Sequence, residues 1–217
     1  MQPPLTEAEL LARCRQLYGF SLAQLARTLG LIIPQYALQR KGWLGCALER
    51  ALGAEAGVQS KPDFINLGIE LKTLPLGKCG KSIESTFITS ISLLSITNES
   101  WHTSTCWSKL RRVLWFAVEG DTNIPFAERR LGRAWLWSPS SAQEIILEQD
   151  WSMFVTMIAL GKLNEINARM GTYLQIRPKA ANEHSLCDYF DDSGHKSKTL
   201  PRGFYLRAKF TSIISQF

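Results

Sequence analysis

Apolar residues recur every third or fourth position as far as Gly53, and then at strand-like spacing from Phe64 onward. A period near 3.6 lays one apolar stripe along a helix, whereas a period of two covers one face of a strand. The chain must therefore open with helices and continue into sheet. Thr6 and Glu9 frame a helix start that carries Leu10, Leu11, Cys14 and Leu17, with the spacing of a capping box. Ser21 and Gln24 repeat that arrangement ahead of Leu22, Leu25, Ala26 and Leu29, and Gly30 is the stop. A third helix is expected over 43–52, closed by Gly53, and a longer one over 141–160. Strands are expected over 64–74, 86–94, 112–118, 173–177 and 204–207, with a short helix from Phe210. Helices first, then mainly strands, then mixed elements imply an α/β protein with a mixed sheet flanked by helices.

The 217 residues suit one domain, 1–217, built as two closely packed lobes, and 45% hydrophobic residues can fill a sizeable core. Cys14, Cys46, Cys79, Cys106 and Cys187 are odd in number and scattered. Their spacing argues against a disulfide framework or a structural zinc site. The first residues lack a basic head followed by an apolar run, and no stretch approaches the roughly 20 apolar residues of a membrane span. The expectation is a soluble, cytoplasmic protein. The net charge of +6 permits a polyanionic partner without proving one. No glycine-rich phosphate loop points to a nucleotide. His102, His184 and His195 have no metal spacing, and Trp101, Trp107, Trp115, Trp135, Trp137 and Trp151 are assigned to core.

The chemistry concentrates in Asp63-Phe-Ile-Asn-Leu-Gly-Ile-Glu70-Leu-Lys72. On a strand Glu70 and Lys72 share a face, while Ile69 and Leu71 point the other way into packing. A bend near Asn66-Leu67-Gly68 brings the Asp63 carboxylate back beside Glu70. Two acids and an ammonium then meet, a grouping suited to phosphodiester hydrolysis: carboxylates bind Mg²⁺ as hard oxygen ligands, and the ion acidifies water and stabilises phosphoryl charge. An acid and a lysine two apart also occur on any solvated sheet face, and Glu49 alone is equally an ordinary surface acid. Lys109-Leu-Arg111-Arg112 is either a track along a phosphate backbone or an exposed strand entry. Arg177-Pro178-Lys179 and Pro201-Arg202-Gly203-Phe204-Tyr205 read as loops with basic and aromatic tips, able to meet base edges.

Taken in order, these segments resemble the MutH family along nearly the whole chain. The resemblance is carried by Lys41-Gly-Trp-Leu-Gly-Cys-Ala-Leu-Glu49, Lys61-Pro-Asp63-Phe, Leu67-Gly-Ile-Glu70-Leu-Lys72-Thr, Leu110-Arg-Arg-Val-Leu-Trp115 and Trp137-Ser-Pro139. Two long stretches are the most specific, Tyr173-Leu-Gln-Ile-Arg177-Pro-Lys179-Ala-Ala-Asn182 and Thr199-Leu-Pro-Arg-Gly-Phe-Tyr205. The chain departs from the pattern over 182–198 and in a shorter C-terminal segment, which in the family helps transmit partner activation.

The resemblance implies a restriction endonuclease-like fold, with two lobes around a DNA cleft. It implies Asp63, Glu70 and Lys72 as catalytic residues, Glu49 as a further active-site acid, and Lys109 in catalysis or backbone contact. Asp63 and Glu70 would hold Mg²⁺, with Mn²⁺ or Ca²⁺ as other occupants. Arg177, Lys179 and Tyr205 match DNA-contacting positions, the last two being candidates for sensing adenine methylation. Glu84 and Phe87 match positions tied to activity or coupling. The implied activity is nicking of the unmethylated strand at hemimethylated GATC sites in mismatch repair, by a monomer activated by MutL. A type II restriction enzyme cutting both strands is the alternative.

Overall fold

The protein is described by a computed structural model over residues 1–55, 57, 61–179 and 184–215, the side chain of Lys41 excepted. The 180–182 end of one family-like stretch and residues 216–217 lie outside these. In chain order the elements are α1 (Glu7–Leu17), α2 (Leu22–Leu29), α3 (Ala37–Leu52), β1 (Glu70–Leu76), β2 (Thr86–Ser90), α4 (Thr105–Leu110), β3 (Val113–Glu119), β4 (Leu131–Trp137), α5 (Ser141–Ala159), β5 (Leu174–Pro178), β6 (Cys187–Phe190), β7 (Lys196–Thr199), β8 (Arg202–Leu206) and α6 (Ala208–Ile214). They fall into two units, one of Met1–Glu84, Arg111–Ser138 and the residues from Ile214, the other of Ser85–Leu110 and Pro139–Ile213.

The first unit holds the mixed sheet β1-β3-β4. β1 and β3 run parallel from Glu70↔Val113 to Leu76↔Glu119, and β4 is antiparallel to β3. β3 sits in the middle and is buried on both faces from Val113 to Val118, as its unbroken apolar run requires. Helices α1 to α3 cover the sheet through Leu10, Leu25 and Leu48, which join Phe64, Leu71 and Phe116 in one core. Each such side chain contributes about 2 kcal/mol by leaving water. The helix starts follow the expected chemistry, with one difference. Ser21 and Gln24 form a reciprocal capping box. The Thr6 hydroxyl accepts the Glu9 N–H, but the Glu9 carboxylate reaches past Thr6 to the Leu5 N–H at 2.9 Å.

The second unit is built on the antiparallel sheet β2-β8-β5. One face carries Leu174, Ile176, Phe204 and Leu206, all buried. It meets α5, where the Phe154 and Phe204 rings lie 6.5 Å apart. Asp150 of α5 is also buried, and its carboxylate accepts the backbone N–H groups of Thr172, Tyr173 and Leu174 at 2.6–2.9 Å. Those donors lead into β5, so this one carboxylate sets where the strand begins.

Several expectations need correction. The strand expected over 64–74 begins only at Glu70, because Ile65–Leu67 is a 3-10 turn closed by Gly68. The strand expected over 86–94 ends at Ser90, just before Ile91 N–H meets Arg202 O, where the partner strand β8 starts. α3 begins six residues before the expected start at Trp43 (43 − 37 = 6), since its first turn lacks the apolar stripe used to find it. β4, α4 and the β6–β7 hairpin were not anticipated. The two stretches read as loops, 177–179 and 201–205, are largely strand: Arg177 and Pro178 end β5 and Arg202–Leu206 is β8. Pairing on both sides of β8 outweighs the turn signal of Pro201 just before it and Gly203 within it. All five cysteines are free. Trp101, Trp115 and Trp151 are buried, while Trp107, Trp135 and Trp137 are only half-buried. No helix among the described residues is long and apolar enough to cross a membrane.

Candidate active site and recognition face

In the first unit the path from Asp63 to Glu70 is a closed loop. Phe64 and Ile69 exchange both backbone hydrogen bonds, at 2.9 and 3.3 Å. Gly68 turns the chain with φ 64, a left-handed conformation that a side chain makes costly. The fold-back carries the Asp63 carboxylate to the Leu71 N–H at 2.8 Å, beside the Glu70–Leu71 peptide. Glu70 opens β1, its N–H bonded to Arg112 O at 3.0 Å, and its side chain is only 2% exposed. Lys72 lies on the same strand face and donates to Glu70 Oε1 at 2.6 Å. The structure thus brings together Asp63, Glu70 and Lys72.

Glu49 lies in the last turns of α3, half-buried. Its carbonyl accepts Gly53 and Ala54 N–H, and Glu55 N–H in turn donates to Asp63 O at 2.9 Å, so backbone bonds tie the end of α3 to Asp63. The Cys46 thiol, one turn earlier, has its pKa pushed up by burial and then by the charges of Glu49 and Asp63. That cysteine beside the acids was not singled out in the sequence, where nothing but its helical spacing from Glu49 could have flagged it. Arg112 does not lie open to a phosphate track: it holds Glu7 of α1 in a two-point ion pair, Nε to Oε1 2.9 Å and Nη2 to Oε2 2.6 Å. Arg111 remains exposed, its guanidinium over Gly68. Glu84, at the end of this unit, accepts the Ser82 hydroxyl through its carbonyl at 2.9 Å. Lys109 belongs to the second unit, in the last turn of α4.

No group of three or more His, Cys, Asp or Glu side chains converges among the described residues. Asp63 and Glu70 present two hard carboxylate donors held almost out of water. That fits Mg²⁺, which is commonly bound by one or two carboxylates and keeps several waters.

In the second unit, Arg177 and Tyr205 stand on the sheet face opposite Phe154. Arg177 donates to the Ser85 hydroxyl at 2.8 Å, and its guanidinium lies 5.8 Å from the Tyr205 ring centroid. Tyr205 meets Phe87 edge-on at 5.3 Å, and the Lys179 ammonium sits 4.6 Å from the Phe87 centroid. One chain of contacts thus links Lys179, Phe87, Tyr205 and Arg177. Burial pushes the Tyr205 phenol pKa up, with Arg177 opposing. The sequence singled out all four residues but gave no sign of Ser85 as a partner of Arg177.

A mixed sheet flanked by helices, with Glu70 and Lys72 on its first strand and Asp63 clasped to the Leu71 peptide, is consistent with a nuclease of the restriction endonuclease-like class. The family described as DNA mismatch repair enzyme MutH matches residues 52–150. The chain is 46% identical over 215 residues to DNA mismatch repair protein MutH of Vibrio campbellii (strain ATCC BAA-1116), covering 99% of this chain and 95% of the relative. It is 45% identical over 214 residues to the protein of the same name from Escherichia coli (strain K12), covering 99% and 93%. The chain belongs to the MutH family of DNA mismatch repair enzymes.

Proposed function

We propose that this chain nicks the unmethylated strand of hemimethylated GATC duplexes during mismatch repair, by Mg²⁺-dependent phosphodiester hydrolysis. The observation that carries the reading is the Asp63–Glu70–Lys72 group: Lys72 Nζ lies 2.6 Å from Glu70 Oε1, and Asp63 is pinned to the next peptide. Family membership supports repair nicking over double-strand cutting.

Asp63 and Glu70 would hold the cation, Mg²⁺ for the reaction, with Mn²⁺ or Ca²⁺ as other occupants of the site. When bound, the cation supplies positive charge for the phosphoryl oxygens and acidifies water. Lys72 orients the attacking water and stabilises the charge that grows on the phosphoryl group. Water oxygen adds to phosphorus as one of its protons passes to solvent, the P–O bond on its far side breaks in line, and the leaving oxygen takes up a proton from solvent. Glu49 adds a further acid at the edge of this group, and Lys109 contacts the DNA backbone or assists the reaction. Arg177 reads the recognition site in the major groove, while Lys179 and Tyr205 fit the unmethylated adenine amine. A methyl on that amine adds bulk and removes a donor hydrogen, a penalty of about 1–3 kcal/mol. One site serves one strand, so a monomer makes a nick. MutL is the activating partner, and the cytoplasm is the place of action.

The experiment is nicking of supercoiled plasmid bearing GATC sites, unmethylated or fully methylated, with Mg²⁺ or EDTA. Mg²⁺-dependent nicking of the unmethylated plasmid alone is the expected result. Equal cleavage of both removes the sensing roles, linear product from paired cuts selects the restriction-enzyme reading, and no cleavage even with MutL and ATP removes the nuclease reading.

A further inference from the structure

Gly203 lies on β8 opposite Arg177 of β5, and on the same face as Tyr205 two residues on. Its backbone is not in the left-handed region, so conformation alone does not call for glycine. Space does. A Cβ at this position would stand 2.8 Å from Phe87 Cε2, 3.1 Å from Thr89 O and 3.3 Å from Phe87 Cδ2. The Phe87 ring therefore lies in the room left by the missing side chain. A bulge in β2 between Phe87 and Thr89 contributes, since an extra residue re-aims the side chains beside it. The same ring carries the Lys179 ammonium and meets the edge of Tyr205, so both depend on where it rests.

We propose that Gly203 is a specificity-positioning residue: by leaving out a side chain it seats Phe87, and through that ring it sets Lys179 and Tyr205 against the adenine edge of the recognition site. This rests on the reading that those two residues sense the adenine amine. Telling an amine from a methylamine means resolving one methyl group, so a ring displaced by even part of that width blurs the discrimination. General attraction to the phosphate backbone depends on charge and is spared.

The test uses the full chain with Gly203→Ala, Phe87→Leu, the two combined, and Tyr205→Ser. The readouts are the ratio of kcat/KM for unmethylated over fully methylated GATC duplex, the affinity for a duplex lacking the site, and the urea unfolding midpoint. Gly203→Ala is expected to lower the ratio at least tenfold with under twofold change in site-free affinity. In the Phe87→Leu background the same change should cost less in the ratio and in the unfolding midpoint, because the ring carbon at 2.8 Å is gone and the Thr89 O contact at 3.1 Å is what remains. An unchanged ratio in Gly203→Ala, while Tyr205→Ser loses it, overturns the role of Gly203 alone. Equal losses from Gly203→Ala in both backgrounds also overturn it. An unchanged ratio in Tyr205→Ser overturns the sensing reading beneath it, and the unfolding midpoints still report whether Gly203 seats the ring. Should Gly203→Ala fail to fold, folding of the combined variant supports the seat and its failure overturns it.

Discussion

The Asp63 carboxylate accepts the Leu71 N–H at 2.8 Å, so an acid placed before the loop is locked to the strand that follows it. Asp63 is thereby both a structural clasp and a ligand candidate, and two substitutions separate these roles. Asp63→Asn keeps an oxygen for Leu71 and should unfold within about 0.5 kcal/mol of the parent, yet nick at under one-hundredth of its rate. Asp63→Ala should lose the nicking and, by leaving a buried N–H unmet, about 1–3 kcal/mol of stability. Urea unfolding beside a plasmid assay checks both, and Asp63→Asn with parental nicking would remove Asp63 from the site.

Glu70 is buried and its charge is met by Lys72 at 2.6 Å. Removing only the lysine takes away the positive charge held 2.6 Å from a buried carboxylate, so Lys72→Met should cost about 3 kcal/mol. Glu70→Gln should cost less, since the amide oxygen still accepts from Lys72, while nicking disappears. Combining the two should recover part of the stability lost in Lys72→Met. Additive losses in the double variant would show that the pair is not energetically coupled.

Asp150 accepts three backbone N–H groups at the entrance to β5. Asp150→Ala is expected to destabilise the chain by about 3 kcal/mol, roughly 1 kcal/mol for each bond. Because β5 carries Arg177, site-specific DNA binding should fall further than site-free binding. Calorimetric melting and a gel-shift comparison would show this, and equal loss on both duplexes would dissociate Asp150 from the recognition face.

Cys14 is buried with its thiol pKa pushed up to about 12, and burial pushes Cys106 higher still, whereas Cys46 and Cys79 are exposed. A thiol reagent near pH 8 should label Cys79 in the folded chain, label Cys46 more slowly because burial and the neighbouring acids raise its thiol pKa, and reach Cys14 and Cys106 only on unfolding. Labelling at Cys46 should block nicking, because bulk there crowds Glu49 and Asp63. The Cys46→Ser variant should resist that inhibition. Mass spectrometry of labelled peptides, paired with the nicking rate, decides it.

Burial raises the Tyr205 phenol pKa, so the folded chain holds that proton more tightly than the unfolded chain. Its contribution to stability is complete below the ordinary tyrosine value near 10 and is lost as pH rises through the raised value. Across pH 7 to 9 the hydroxyl stays a donor, and methylation discrimination should be flat. A ratio of nicking rates that drops in that range would place an ionised phenol at the site.

Much of the site was legible because its signals are short in range. Glu70 and Lys72 are two apart, and strand geometry alone puts them on one face. The fold-back at Asn66-Leu67-Gly68 was marked by the glycine, although the residues around it looked like continuous strand. The β4 strand went unseen because its residues 132–137 are only partly buried or exposed and break the apolar alternation. The sequence leaves Arg112 open between a phosphate contact and an exposed strand entry, because its partner Glu7 lies 105 residues earlier.

The sequence by itself determined the starts of α1, α2 and α5, the α/β order, the acid–lysine group and the family, since each depends on neighbours a few residues apart or on long matched stretches. Only the tertiary structure decided that Asp63 clasps Leu71, that Arg112 is consumed by Glu7, and that Phe87 rests over Gly203 beneath Lys179. These depend on strand register and on a single bulge in β2. A shift of one residue would turn every side chain of that strand to the other face, and local propensity does not distinguish the two registers.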